Sequence, residues 1–393
     1  MTEFEDPLFQ MFAARTLGLV SRGGAETGEV AAIAGHVKPG DADSWYNAWA
    51  ATASRVAAEA EDSRSRGHRR SAAEAFWRAT TYFRASYQPL FGAPVDPRLK
   101  AAFARERECF ARMARLARPA VVAVDVPYED TTLPGYLCMP DDDNAASRAT
   151  VVSVNGYDSN VHEMYWAHAI PATRRGYAAL LVDGPGQGQP LIEQGLPLRP
   201  DWEAVVSRVV DFACTRPEVD PERIAVHGWS LGGHLAPRGV AGDSRVQALI
   251  ADPGQWDMIS HLPAELAQRV GDTDAAELGA YLAPAAESPV GHWKFVQRAQ
   301  WVHGVDSLGE LVIDMARYRI SDVVDRITCS SLVVANDSDP LSAQAKQLYA
   351  ELPGPKTLLR LPNGQGYDGH CQTANRSGFD RLAFDWLDEV IRA

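Results

Sequence analysis

The stretch Ile224-Ala225-Val226-His227-Gly228-Trp229-Ser230-Leu231-Gly232-Gly233 decides how this chain is read. Ile224-Ala225-Val226 is a short apolar run of the size of a buried strand, and Asp220-Pro221-Glu222-Arg223 supplies turn chemistry before it. Behind Ser230, Gly232-Gly233 opens an apolar segment and would let a new helix pack closely on a sheet. A serine held between small residues at a strand-to-helix turn is the pattern of a strained backbone that exposes a hydroxyl nucleophile. A glycine-flanked serine also occurs in ordinary turns, so partners elsewhere in the chain have to decide between the two.

Outward from this stretch the same local chemistry repeats. Thr150-Val151-Val152-Ser153-Val154, Ala178-Ala179-Leu180-Leu181-Val182, Ala248-Leu249-Ile250, Ser331-Leu332-Val333-Val334-Ala335 and Thr357-Leu358-Leu359-Arg360-Leu361 are further short apolar runs. Helical spacing separates most of them, which predicts an α/β architecture: a mostly parallel sheet with helices on both faces. Val121 to Val126 and Leu133 to Cys138 flank a polar turn and read as a hairpin.

Two regions stand outside that alternation. Residues 1–118 carry helical spacing, as in Trp45, Trp49 and Ala53 or Phe76, Thr80, Phe83 and Tyr87, and are expected to form a helical N-terminal domain with a cap or dimerisation role. Residues 119–393 then form the catalytic domain, interrupted at about 256–325 by a second helical insertion with Trp256, His261, Trp293, Trp301 and His303. These side chains suit a helix core, and helical additions of this kind also roof pockets beside a parallel sheet.

Bulk properties exclude several function classes. The 393 residues bury a large core, and a net charge of -13 argues against nucleic acid or an anionic membrane as partner, since both favour basic patches. Five scattered cysteines leave no complete disulfide set, and neither they nor the histidines have metal-site spacing, so no metal is expected. The start Met1-Thr2-Glu3-Phe4-Glu5-Asp6 is acidic rather than signal-like, and no apolar run reaches the length of a membrane span; a cytoplasmic protein acting on a small molecule is expected. The loop Asp183-Gly184-Pro185-Gly186-Gln187-Gly188 is glycine-rich but lacks the lysine of a phosphate loop and the Gly-x-Gly-x-x-Gly of a dinucleotide site.

A serine nucleophile needs a base, an orienting acid and donors for the developing oxyanion. After the run Ser331 to Ala335 comes Asn336-Asp337-Ser338-Asp339-Pro340, where Asp339 is the candidate acid and Asp337 the second choice. After Leu361 a glycine-rich loop leads to His370, the candidate base. Leu231, directly after Ser230, offers one oxyanion N–H; Asn155-Gly156-Tyr157-Asp158 after the run Thr150 to Val154 offers the second, from Tyr157, with Gly156 allowing close approach. Candidates for substrate contact are Asp158, Trp229, Asp252, Trp256 and Asp257, of which Asp252 and Asp257 could supply an extra acid or simply shape a turn and a cap.

Together Asn155-Gly156-Tyr157-Asp158, Asp183 to Gly188, Gly228 to Gly233, Asp339-Pro340 and His370-Cys371 resemble the α/β-hydrolase superfamily. Gly40-Asp41, Trp45 to Trp49 and Arg84-Ala85-Ser86 resemble its branch containing 2,6-dihydroxypseudooxynicotine hydrolase and fungal polyketide-shortening hydrolases. Two positions depart from the pattern: Gly369 where an acidic residue often precedes the histidine, and Asn336 where a glycine often begins the acid loop. The resemblance implies the α/β-hydrolase fold, a homodimer, and cleavage of a carbon-carbon bond beside a ketone; the triad mechanism itself needs no cofactor. Carboxylesterase or lactonase activity, and acyl transfer or cyclisation, use the same triad; a non-catalytic binding protein would not need it.

Overall fold

The computed structural model describes residues 4–141, 147–260 and 262–391, so His261 lies outside the described residues. Two compact units emerge, one of Met1–Val122 with Gly279–Leu308, the other of Ala123–Leu278 with Gly309–Ala393.

The first unit is helical. Asp6, Asp41 and Asp96 each cap a helix, at Pro7–Gly18, Ala42–Ser65 and Pro97–Leu116, by accepting hydrogen bonds from otherwise unpaired first-turn N–H groups. Pro7 and Pro97 sit where a missing N–H costs nothing. Arg69–Ser86 completes the long helices, nearly every residue of its second half buried. Trp45 gathers Phe4, Phe9, Phe12 and Trp49 within ring-contact distance, while its indole N–H donates to the Ala85 carbonyl at 2.8 Å. Trp293 joins this aromatic core against Phe12 and Phe91 and donates to the Gln88 carbonyl at 2.7 Å; Trp301 meets Phe91 edge-on. The insertion tryptophans 293 and 301 are thus core residues of a helical unit, which explains why Gly279–Leu308 clusters with helices far away in sequence.

The second unit carries an eight-stranded sheet: β1 Val121–Tyr128, β2 Thr131–Cys138, β3 Arg148–Val154, β4 Ala178–Val182, β5 Val219–Trp229, β6 Val246–Asp252, β7 Ser330–Asn336 and β8 Lys356–Leu361, in the order β1-β2-β4-β3-β5-β6-β7-β8. β2 pairs antiparallel with β4, and every pairing from β4 through β8 is parallel. The expected mostly parallel sheet is present, and its central strands are buried almost throughout, as continuous apolar runs require. β5 is longer than its apolar run: the pairing jumps from Arg148↔Val219 to Thr150↔Ile224, so the turn residues 220–223 bulge out of a strand that resumes at Ile224.

Register brings the functional loops together. Val154 pairs with Gly228, Trp229 with Asp252, and Asn336 with Leu361, so the segments leaving the C-terminal ends of β3, β5, β6, β7 and β8 all emerge at one edge. The helix Arg376–Ile391 anchors the segment after β8 by burying Phe379 and Ala383 against Ile250, Leu332, Val334 and Leu361. Full burial of the Phe379 side chain contributes about 1.5–3 kcal/mol.

Candidate active site

Ser230 sits at the turn between β5 and the helix Gly232–Val240 with φ +59°, a left-handed conformation that L side chains seldom adopt. Two neighbours make the turn this tight. A Cβ on Gly228 would lie 2.0 Å from the Gly232 carbonyl oxygen, and one on Gly156 would lie 2.7 Å from the Ser230 Cβ, so neither position tolerates a side chain without displacement. The Ser230 N–H donates to the Asp252 carbonyl at 2.8 Å, and the Ser230 carbonyl accepts from Gln255 Nε2 at 2.5 Å and from the Gly233 N–H at 2.8 Å. The strained conformation is therefore held from both sides of its peptide.

His370, in the segment after β8, reaches Ser230 Oγ through Nε2 at 2.7 Å and Asp339 Oδ2 through Nδ1 at 2.7 Å. The imidazole is 42% exposed, whereas the Asp339 side chain is only 2% exposed. Burial alone would push the Asp339 carboxyl up, but the hydrogen bond and charge of His370, with the Leu341 and Cys371 N–H groups, outweigh it and hold the carboxyl below the usual range. Asp337 points elsewhere, toward Arg360 at 3.7 Å, so of the two aspartates the structure brings Asp339 to the histidine.

The two departures from the family pattern have structural roles. Asn336 donates through Nδ2 to the Tyr367 carbonyl at 2.9 Å and accepts from the Ser338 N–H at 3.1 Å and Oγ at 2.9 Å, tying the acid loop to the histidine loop. Gly369 has φ +87°, which a side chain such as an acidic one would strain.

Leu231 directly follows the serine and sits at the N-cap of the helix Gly232–Val240, whose dipole is positive there. The Gly156 N–H donates to Ser159 Oγ at 2.7 Å, so Gly156 contributes space and its own N–H is engaged. Tyr157 and Asp158 follow it on the same loop, both half-buried. That loop is buttressed by the glycine-rich segment after β4: Asp183 Oδ1 accepts from Asn155 Nδ2 at 2.5 Å and from the Val161 N–H at 2.8 Å, while Gln187 Nε2 donates to the Asn155 carbonyl at 2.9 Å. Asp183 and Gln187 are absent from the sequence candidates; their position after a neighbouring parallel strand was the available signal.

Two candidates for substrate contact take other places. Asp252 is fully buried, its Oδ1 taken by Gln372 Nε2 at 3.0 Å and its Oδ2 by the Arg376 guanidinium at 2.9 Å, so it is an ion-pair partner rather than an acid facing a ligand. Trp229 is 3% exposed, its ring edge-on to Trp166 and covered by the Arg376 guanidinium, which makes it core. Asp257 Oδ1 caps the Ile259 N–H at 2.9 Å, and the Trp256 and Asp257 N–H groups share Gln344 Oε1; both residues remain half-buried. Sequence reading missed Gln372 and Arg376 altogether.

Among the described residues, Asp339, His370 and Cys371 place three atoms able to ligate a metal within 4.8 Å of one another. His370 Nδ1 is already bonded to Asp339 and Nε2 to Ser230, and Cys371 Sγ lies 3.5 Å from Nε2 and 3.8 Å from Nδ1 of the same imidazole. Burial, and then the charges of Asp252 and Asp339, push the Cys371 thiol well above its ordinary range.

A serine hydroxyl bonded to an imidazole, itself bonded to a buried carboxylate, is chemically competent for proton removal and covalent attack on a carbonyl. The chain matches the alpha/beta hydrolase family over residues 151–371. Hydrolase LUC6 from a Fusarium species is 34% identical over 99% of this chain and 97% of its own length, and hydrolase acrC from Aspergillus aculeatus 33% identical over 98% and 97%. The 20-hydroxy-prefusarin hydrolase FUS2 of Gibberella moniliformis is 40% identical over 65% of this chain and 62% of its own. Among solved structures, 2,6-dihydroxy-pseudo-oxynicotine hydrolase shares the fold with a TM-score of 0.76 at 23% identity, covering 95% of each chain. These fungal hydrolases and this neighbour fall in the branch that the sequence resembles. With a family match across more than half its length and full-length relatives at a third identity, this protein belongs to the alpha/beta hydrolase family.

Proposed function

We propose that this hydrolase uses Ser230 as nucleophile, His370 as general base and Asp339 as the orienting acid, and that it cleaves a carbon-carbon bond next to a ketone in an aromatic or polyketide-like small molecule. The observation that supports the triad is the unbroken hydrogen-bonded run from Ser230 Oγ through His370 to Asp339, 2.7 Å at each step, on a left-handed strand-to-helix turn.

In the proposed mechanism His370 Nε2 takes the Oγ proton as Oγ bonds to the substrate carbonyl carbon. The N–H groups of Leu231 and Tyr157 receive the oxyanion, and the Asp339 carboxylate stabilises the imidazolium. Collapse breaks the bond to the neighbouring carbon, whose electron pair is delocalised into the adjacent carbonyl, and the imidazolium returns its proton to that carbon. Water, deprotonated by His370, then opens the acyl-serine. The sum is one diketone and one water converted to one carboxylic acid and one ketone. No cofactor enters these steps, and Asp252, ion-paired and buried, takes no part as a proton donor.

The preference for carbon-carbon cleavage is supported by the branch resemblance. Ester hydrolysis and acyl transfer are run by the same three side chains, with an alkoxide leaving or an alcohol replacing water. Turnover of a matched aryl 1,3-diketone and aryl ester by the wild type and by Ser230→Ala separates them. Serine-dependent release of acid and ketone from the diketone is expected; serine-dependent cleavage of the ester alone would move the assignment to an esterase or acyltransferase. A homodimer and a cytoplasmic location go with this proposal, and light scattering on the purified chain checks the first. Among the described residues no helix is long and apolar enough to cross a membrane.

A further inference from the structure

We infer that Asp252 and Arg376 are positioning residues for this reaction: their buried ion pair locks the segment carrying His370 to the turn carrying Ser230. The inference rests on the reading of Ser230 and His370 as nucleophile and base.

Bonds from the two residues reach Ser230 itself and Cys371, the residue after His370. On the serine side, the Asp252 carbonyl accepts the Ser230 N–H at 2.8 Å, and the Arg376 guanidinium lies over the ring of Trp229 at 4.7 Å from its centroid. On the histidine side, Arg376 Nη1 donates to the Cys371 carbonyl at 3.1 Å and to Gln372 Oε1 at 3.2 Å, while Gln372 Nε2 donates to Asp252 Oδ1 at 3.0 Å. The Cys371 thiol donates to the Asp252 carbonyl at 3.6 Å, so one carbonyl oxygen receives groups from both sides. Phe379 closes the other face of the guanidinium at 4.2 Å.

Side-chain exposures of 1% for Arg376 and 0% for Asp252 make this an expensive arrangement, because a buried ion pair recovers its desolvation cost only with excellent geometry and full hydrogen bonding. Apolar residues of equal volume would stabilise the fold as well. What they could not supply is the set of directional side-chain bonds that ties Cys371 and Gln372, directly behind the base, to Asp252, whose backbone carbonyl holds the N–H of the nucleophile. Those bonds hold Cys371 and Gln372 at φ +50° and +52°, a left-handed run directly behind His370.

The same geometry gives an electrostatic signature. The charged and titratable groups around His370 are Asp339 and Cys371 in contact with it, and Asp252 below, with Arg376, Asp380 and His227 bordering the pair. Asp252→Asn deletes one negative charge and leaves the guanidinium in excess, which disfavours an imidazolium above it.

The test is the pH dependence of covalent labelling of the full-length protein by a fluorophosphonate ester, with Ser230→Ala as control. For Asp252→Asn the maximal labelling rate is expected to fall about tenfold or more, consistent with loss of sub-ångström alignment. The pH of half-maximal labelling is expected to move to lower values, and to return toward the wild type in Asp252→Asn combined with Arg376→Gln. Arg376→Lys, which keeps the charge but not the fork of donors, is expected to lose rate with little change of midpoint, and it carries the test if Asp252→Asn does not fold. Ser230-dependent labelling of Asp252→Asn with an unmoved midpoint, or of Arg376→Lys at the wild-type rate, overturns the inference alone. Labelling that survives Ser230→Ala overturns the nucleophile reading and the inference with it.

Discussion

Adding one methyl group at Gly156 is expected to disable the site while sparing the fold. The new Cβ would stand 2.7 Å from the Ser230 Cβ, 3.0 Å from the Trp229 carbonyl oxygen and 3.2 Å from Ser159 Oγ. Ordinary van der Waals contact begins near 3.4 Å, so the serine and the loop after β3 must separate by about 0.7 Å. Ser230 cannot rotate away cheaply, because its N–H is bonded to Asp252 and its carbonyl to Gln255. The loop therefore moves, and the donors expected from it leave the reacting carbonyl. Misplacement approaching 1 Å costs on the order of 10²-fold in rate, and overpacking costs about 1–3 kcal/mol of stability. Labelling of Ser230 by a fluorophosphonate ester, followed in parallel with urea unfolding, reads both quantities for Gly156→Ala. A labelling rate within about twofold of the wild type would show that the loop holds its donors in place despite the methyl, contrary to a contact distance that leaves no arrangement in which both groups keep their places.

Other outcomes follow from single contacts. Asp339→Asn should lower turnover by about 10³–10⁴-fold through loss of the imidazolium partner and the correct tautomer. Because the folded Asp339 carboxyl lies below its usual range, its contribution to stability is present above about pH 4 and lost as pH falls through the folded value. The stability gap between wild type and Asp339→Asn, measured by chemical denaturation, should thus shrink on acidification below about pH 4; a gap that grows there contradicts the shift. Trp293→Ala removes a fully buried indole stacked on Phe91 and bonded to Gln88, and should cost about 3–5 kcal/mol in urea unfolding. Cys371 should resist iodoacetamide at pH 8 in the folded protein and react once unfolded, by peptide mass analysis, since burial keeps its thiol protonated; alkylation at the rate of an exposed thiol argues against this packing.

Features fixed within a dozen residues were legible before the structure. Ile224 to Gly233 announces its own strand, turn and helix, and the loops bearing Asp339 and His370 follow apolar runs in the order such a site requires. Long-range partnerships were not. Asp252 reads as a turn or ligand acid because its partner Arg376 is 124 residues away, and nothing local marks an arginine in a C-terminal helix as buried. Trp293 and Trp301 look alike whether they roof a pocket or fill a core, because helical spacing gives a buried face but not what covers it. Asn336 and Gly369 looked like departures from a pattern, and only the hydrogen bonds of the first and the positive φ of the second show what they do.

The most direct test of the account is stoichiometric modification by a fluorophosphonate ester, with the adduct mapped by peptide mass spectrometry and turnover of the matched diketone measured at each degree of modification. The proposed chemistry predicts one adduct per chain on Ser230 and activity falling linearly to zero with its occupancy. Turnover persisting with Ser230 fully modified, or an adduct on another residue with activity lost, would contradict it.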